Sequence, residues 1–174
     1  MGGTMRLPAL LLLISCAFAT SALANTITGK VVSVADGDTL TILDVARVQH
    51  KVRLAQIDAP ETSHGKNKPG QPFGNDSKQS LAQLTFGKMV TASCGDTDRY
   101  GRSVCGISVC GISVDGIDVN REQVQRGMAW VYRRYAHDTT LYRAEDDAKR
   151  EKRGLWRLED AVPPWEWRKR KVKP

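Results

Sequence analysis

Histidine is scarce in this 174-residue chain: His50, His64 and His137 each stand alone, so each is expected at the surface rather than in a catalytic set. Cysteine is nearly as sparse, and Cys16, Cys94, Cys105 and Cys110 have spacings that match no thiolate metal site. Long apolar runs are missing after residue 24, where nothing approaches the roughly 20 residues that cross a bilayer. That excludes a transmembrane segment from the mature chain. The length leaves room for one compact core and is too short for two ordinary domains.

The one long apolar run is at the start. Arg6 precedes Leu7 to Ala19, and Ala22-Leu23-Ala24 has the small-residue pattern of a signal peptidase site before Asn25. Residues 1–24 are read as a signal peptide, and the mature chain is expected to be secreted or periplasmic. Leu13-Ile14-Ser15-Cys16 offers a minority reading as a lipoprotein box that would anchor the chain through Cys16. Against it, apolar residues continue past Cys16, where a lipid tether is usually polar. Three cysteines then remain in a compartment where disulfides persist. One bridge and one spare thiol is the economical outcome, with Cys94 crossing a hairpin to Cys105 or to Cys110; three buried small apolar residues is the other reading.

What the chain does have is positive charge and ordered clusters of it. Lys and Arg number 26 against 19 Asp and Glu, a balance that favours polyanions as partners, or at its plainest a solubilising surface. Three short stretches sharpen that: Asp36-Gly37-Asp38-Thr39, then Arg53 through Glu61, then Asp98-Arg99-Tyr100-Gly101-Arg102. A hard divalent cation takes carboxylate and carbonyl oxygens, a phosphodiester takes planar guanidinium donors, and hydrolysis needs a carboxylate to activate water. The three stretches supply all of these.

The most discriminating stretch is Arg53-Leu54-Ala55-Gln56-Ile57-Asp58-Ala59-Pro60-Glu61, a strand whose end Pro60 forces into an extended turn. With Asp38-Thr39 before it and Tyr100-Gly101-Arg102 after it, the chain resembles the staphylococcal (micrococcal) nuclease family from about residue 28 to residue 156. Asn120-Arg121-Glu122, Gln125-Arg126-Gly127-Met128-Ala129 and the run from Ala148 to Lys152 before Leu155-Trp156 extend the likeness.

Alternating, β-branched runs over Thr26–Val34 and Thr39–Asp44 flank Asp36-Gly37 and read as a hairpin. Lys51–Ile57, Met89–Ser93 and Val104–Val114 read as three more strands; Asn75–Phe86, Asn120–Trp130 and Thr140–Arg153 as helices. Five short strands with interleaved helices fit a small Greek-key barrel, mainly β with α. The resemblance implies the same fold: a five-stranded OB-fold with about three helices, over residues 25–157. The polar, Pro- and Gly-rich segment from Thr62 to Asn75 is expected to be a mobile loop beside the site. Residues 158–174 form a basic tail containing Trp165 and Trp167, which would either add nucleic-acid affinity or pin its tryptophans on the barrel.

One feature breaks the family pattern. Val104-Cys105-Gly106-Ile107-Ser108 is followed at once by Val109-Cys110-Gly111-Ile112-Ser113. A repeat of five is out of phase with a strand's period of two, so both copies cannot bury the same set. One copy is expected to be the barrel strand and the other a bulge or an extended turn near Asp115-Gly116. A register slip would put Arg102 at risk first.

The resemblance also implies site roles. Asp38 and Asp58 would be side-chain ligands of one calcium ion, with the Ala59 carbonyl a third; the family usually has Thr there, an exchange that a backbone ligand survives. Magnesium suits this site less, since it demands a tighter octahedron. Asp36 reads as a turn former that could also tune the metal site. Glu61 would be the general base, Arg53 and Arg102 the catalytic phosphate clamps, Arg99 a terminal-phosphate contact, and Tyr100 and Tyr135 packing partners for the nucleotide. The expected protein is an endonuclease on DNA and RNA, favouring single-stranded or frayed substrate, with 5′-hydroxyl and 3′-phosphate products. It is expected to be a monomer with no obligate protein partner. A catalytically silent nucleic-acid-binding barrel is the rival, and a protein-binding module the third reading.

Overall fold

The computed structural model describes residues 25–63, 65, 69–109 and 116–170. Strands β1 (Asn25–Val34), β2 (Thr39–Asp44) and β3 (Gln49–Leu54) form an antiparallel meander, and β1 also pairs with β5 (Met89–Thr97), which pairs with β6 (Ser103–Val109). The sheet closes because β3 and β6 pair in parallel, with Arg53 opposite Val104. This is the closed five-stranded barrel with three substantial helices that the strand pattern predicts, α1 (Gly74–Thr85), α2 (Val119–Gln125) and α3 (Thr139–Arg150). Period-two alternation fills it: Leu40 and Ile42, Val52 and Leu54, Val90 and Ala92, Cys105 and Ile107 all point into the core. Leu81 and Leu84 from α1, Val119 and Val124 from α2, and Leu141 and Ala144 from α3 extend the same cluster.

The element boundaries differ from expectation where the backbone must bend. The third strand was expected to run to Ile57; instead Gln56 takes a positive φ of 63° and turns the chain. Ile57–Asp58 (β4) then pairs outside the barrel with Trp130–Val131, Asp58 facing Trp130. The second helix stops at Gln125 rather than Trp130, since Gly127 has a φ of 67° and lies so close to the backbone of Arg153 that no Cβ would fit. The Asp118 and Asp138 carboxylates cap α2 and α3 by accepting from the backbone N–H groups of Arg121 and Thr140.

Two features left open by the sequence are placed. Copy one of the repeat, Val104 to Ser108, lies wholly within β6, and Cys94 and Cys105 are directly opposed on β5 and β6 and bridged. Of copy two, residues 110–113 lie outside the described residues. So does part of the loop expected to be mobile, residues 64 and 66–68; its two ends are tied together by Gln71 N–H donating to the Glu61 carbonyl at 2.8 Å.

The bridge spans a sequence separation of 11, a loop whose closure stabilises by about 3 kcal/mol on a chain-entropy estimate. Reduction is expected to lower the unfolding free energy by an amount of that order in urea titrations. Peptide mass mapping of the oxidised protein should find Cys94 linked to Cys105; a Cys94–Cys110 peptide would refute the pairing.

Candidate active site

The turn between β1 and β2 brings two carboxylates to the barrel mouth. Asp36 Oδ1 accepts from the Asp38 backbone N–H at 3.0 Å, the Asx turn that Asp-Gly-Asp predicts. Gly37 sits too close to Ser77 and Ala59 for a Cβ, and its carbonyl accepts from Gln123 Nε2 at 2.8 Å, which fastens the turn to α2. Asp38 itself is buried. Its Oδ1 accepts from the Thr39 hydroxyl at 2.9 Å, and its Oδ2 from the Ala59 N–H at 3.1 Å.

Asp58 arrives from the other side on β4 and is only 1% exposed. Between the two carboxylates lies Arg53, whose Nη2 is 2.8 Å from Asp58 Oδ1 and 3.0 Å from Asp38 Oδ2, while its Nη1 donates to the Ile57 carbonyl at 3.2 Å. One nitrogen therefore touches both acids. Arg102 closes the circuit: its Nε donates to Asp98 Oδ2 at 2.8 Å and its Nη1 to Thr39 Oγ1 at 3.2 Å, and that same hydroxyl binds Asp38. With copy one of the repeat in the strand, Arg102 keeps its aim.

The electrostatics follow from burial. The Asp36 carboxyl is pushed up to about 7, first by burial and then by the charge of Asp38 beside it. Asp58 is pushed up to about 6 by burial, against the pull of the Arg168 guanidinium, with Asp38 raising it further and Arg53 lowering it. Asp98 goes the other way: partial burial raises it, but the Arg102 N–H, the Arg102 guanidinium and the Tyr100 N–H outweigh that and hold it below the usual carboxylate range.

All nine residues singled out from the sequence, Asp38, Arg53, Asp58, Ala59, Glu61, Arg99, Tyr100, Arg102 and Tyr135, line one cleft of about 1370 Å³. Their roles divide by depth. The carboxylates, Arg53 and Arg102 form its floor, whereas Tyr100, 70% exposed, and Tyr135, 53% exposed, stand at its rim. The guanidinium groups of Arg99 and Arg102 lie 5.1 and 5.5 Å from the Tyr100 ring centre. Glu61 is partly exposed, and its oxygen faces the floor beside Asp58, both meeting Arg168.

The sequence comparisons give the family of this barrel. The family model described as staphylococcal nuclease homologue matches residues 51–158. This chain belongs to the staphylococcal nuclease family. It is 40% identical over 147 residues to a protein named micrococcal nuclease from Shigella flexneri, covering 81% of this chain and 80% of that one. It is 39% identical over 154 residues to an uncharacterized endonuclease of Escherichia coli, covering 88% and 93% of the two chains. A staphylococcal-like nuclease of Arabidopsis thaliana is 31% identical over 128 residues, 74% of this chain and 36% of its own length.

The staphylococcal nuclease resemblance implies a calcium ion, and the donor set can be tested for it. Among the described residues no group of three or more His, Cys, Asp or Glu side chains is arranged to hold a metal ion. A cation here would therefore rest on two carboxylates, backbone oxygen and water. Asp38 and Asp58 face a common point, both touched by one guanidinium nitrogen, and they are all-oxygen donors. Burial without enough compensating charge raises Asp36 and Asp58, the condition that a divalent ion relieves. The residues fit a hard cation that keeps part of its water shell.

Several positioning residues take no role from the sequence, although Gln56 and Asn120 lie within motifs that carry the family resemblance. Gln71 is buried in the Pro- and Gly-rich loop; its Oε1 accepts from the Glu61 N–H at 3.1 Å and its Nε2 donates to the Val162 carbonyl at 2.6 Å. Asn120 accepts from the Ile107 N–H and donates to the Ala55 carbonyl, locking β6 against the Arg53–Glu61 segment. Gln56 accepts from the N–H groups of His137 and Asp138, which fixes the wall that carries Tyr135. A buried amide inside an otherwise polar loop, as at Gln71, is indistinguishable in sequence from a solvated one. Arg168 lies 110 positions from Asp58, beyond the reach of any local pattern.

Since the folded pKa of Asp98 lies below its unfolded value, its stabilisation is present above pH 3.8 and is lost as pH falls through the folded value. Asp98→Asn is expected to lower Tm at pH 7 and to show a much smaller difference from the parent at pH 3. Thermal melts at the two pH values check this; an equal gap at both would show that Asp98 does not stabilise through its charge.

Proposed function

We propose that this chain is a calcium-dependent endonuclease, exported from the cytoplasm, that hydrolyses phosphodiester bonds of DNA and RNA with little sequence preference. The observation that carries the reading is the convergence of Asp38, Arg53, Asp58, Glu61 and Arg102, from separate segments, on the floor of one cleft in a nuclease-family barrel. Export rests on the leader pattern of residues 1–24.

Calcium, when bound to Asp38, Asp58 and the Ala59 carbonyl, supplies positive charge to a phosphate oxygen and a means of placing water. Glu61 takes the proton from the water that attacks phosphorus, its backbone held by Gln71 so that the carboxylate reaches the floor beside Asp58. Arg53 and Arg102 donate to the equatorial oxygens as charge builds on them. Both are preorganised by carboxylates, Arg53 by Asp38 and Asp58, Arg102 by Asp98, so little reorganisation is needed in the transition state. Arg99 would meet a terminal phosphate, and Tyr100 and Tyr135 offer exposed rings to unstacked bases. These contacts favour single-stranded or frayed strands, read no base edges, and need only a monomer. As the water oxygen bonds to phosphorus the P–O5′ bond breaks, and the leaving 5′ oxygen takes a proton from solvent, giving 5′-hydroxyl and 3′-phosphate ends.

Glu61→Ala should lose activity by about 10²- to 10⁴-fold, the usual worth of a general base. Arg53→Lys and Arg102→Lys should each lose about 10²- to 10³-fold, because an ammonium cannot make the paired bonds. The check is cleavage of single-stranded DNA and RNA in calcium, magnesium or chelator, with product ends mapped. Salt-sensitive binding without cutting would instead establish a silent nucleic-acid-binding barrel.

A further inference from the structure

The tail after the nuclease core returns to the floor of the cleft. Gln71 Nε2 holds the Val162 carbonyl, Pro164 opens the single turn Pro164–Trp167 (α4), and Trp165 stacks on Tyr132 with ring centres 5.2 Å apart and planes 11° apart. Arg168, next in the chain, then reaches inward. Its Nη2 donates to Asp58 Oδ2 at 2.6 Å, and its Nη1 to Asp58 Oδ1 at 3.2 Å and to Glu61 Oε1 at 2.5 Å. This is a forked, charge-assisted contact with a buried carboxylate and the adjacent Glu61, unlike the exposed pairs of Arg150 and Lys169 with their helical neighbours.

A cation bound to Asp58 would sit about 2.4 Å from a carboxylate oxygen. Arg168 already bonds both oxygens of that carboxylate, and Arg53 holds Oδ1 as well, so an ion that coordinates Asp58 competes with the Arg168 fork for those oxygens. Like charge opposes coexistence too. We propose that Arg168 is a tethered occupant of the cation site: the tail closes on Asp58 and Glu61 without calcium and is displaced when the ion binds. The tail thereby weakens calcium affinity and couples the ion's arrival to opening of the cleft. This rests on the reading of Asp38 and Asp58 as calcium ligands.

For a latch closed nine-tenths of the time, the apparent Kd is about tenfold weaker than the intrinsic one. Calcium titration by calorimetry on the full mature chain is therefore expected to show about tenfold tighter binding in Arg168→Gln. Arg134→Gln, in the same cleft but with no contact to the carboxylates, should shift it far less. Trypsin should cut the parent's tail faster in calcium than in chelator, and the Arg168→Gln tail equally fast in both. Unchanged or weaker calcium binding in Arg168→Gln would overturn the latch while leaving the calcium site standing. Equal tightening by Arg134→Gln would reduce the effect to general charge and overturn it as well. Absence of calcium binding in both parent and Arg168→Gln would sink the calcium reading and the latch together.

Discussion

The bond on which the rest depends is the bridge that Arg53 Nη2 makes between Asp38 and Asp58. Each carboxylate is buried, and burying a charge costs several kcal/mol unless a partner with good geometry offsets it. Because Arg53 lies on β3, Asp38 just ahead of β2 and Asp58 on β4, that requirement fixes three chain segments against one another at the barrel mouth. The Leu54 N–H donates to the Asp38 carbonyl at 2.8 Å, so backbone and side chains enforce the same register. Thr39 extends the arrangement to Arg102 through a shared hydroxyl, and Ala59 extends it to the turn that leads to Glu61. Removing one member leaves an uncompensated charge in a nearly dry place, which is why the site and the fold are one construction.

That dependence explains what the sequence made legible. The Asp36-Gly37-Asp38 turn and the Asp98–Arg102 turn are local chemistry, and in each the Asp carboxylate accepts from the backbone of its own turn. Period two located the strands, and the helical spacing located the helices, whose Asp118 and Asp138 caps the structure adds. The misplaced strand end shows the limit. Gln56 in the left-handed region has no glycine to announce it; its side-chain carbonyl accepting from two N–H groups 81 and 82 positions away compensates the cost. Cysteine pairing was equally beyond local reading, since choosing Cys105 over Cys110 requires knowing which copy of the repeat is the strand.

Tyr132 shows how the tail changes the meaning of the core. Its ring packs edge-on to Tyr135, 5.0 Å between centres, and face-on to Trp165. The wall proposed to meet a base is thus continuous with the segment that carries Arg168. Aromatic stacking on one side and a buried carboxylate on the other hold a single helical turn that could not persist alone in water. Basic residues in the tail would be read in isolation as added affinity for nucleic acid. Folded back, the first of them instead neutralises the acids that a phosphodiester would otherwise meet. Positive charge near a nuclease site therefore has two opposed uses, attraction of the polymer at the rim and occupation of the carboxylates at the floor, and only the three-dimensional path of residues 158–170 tells which one Arg168 serves.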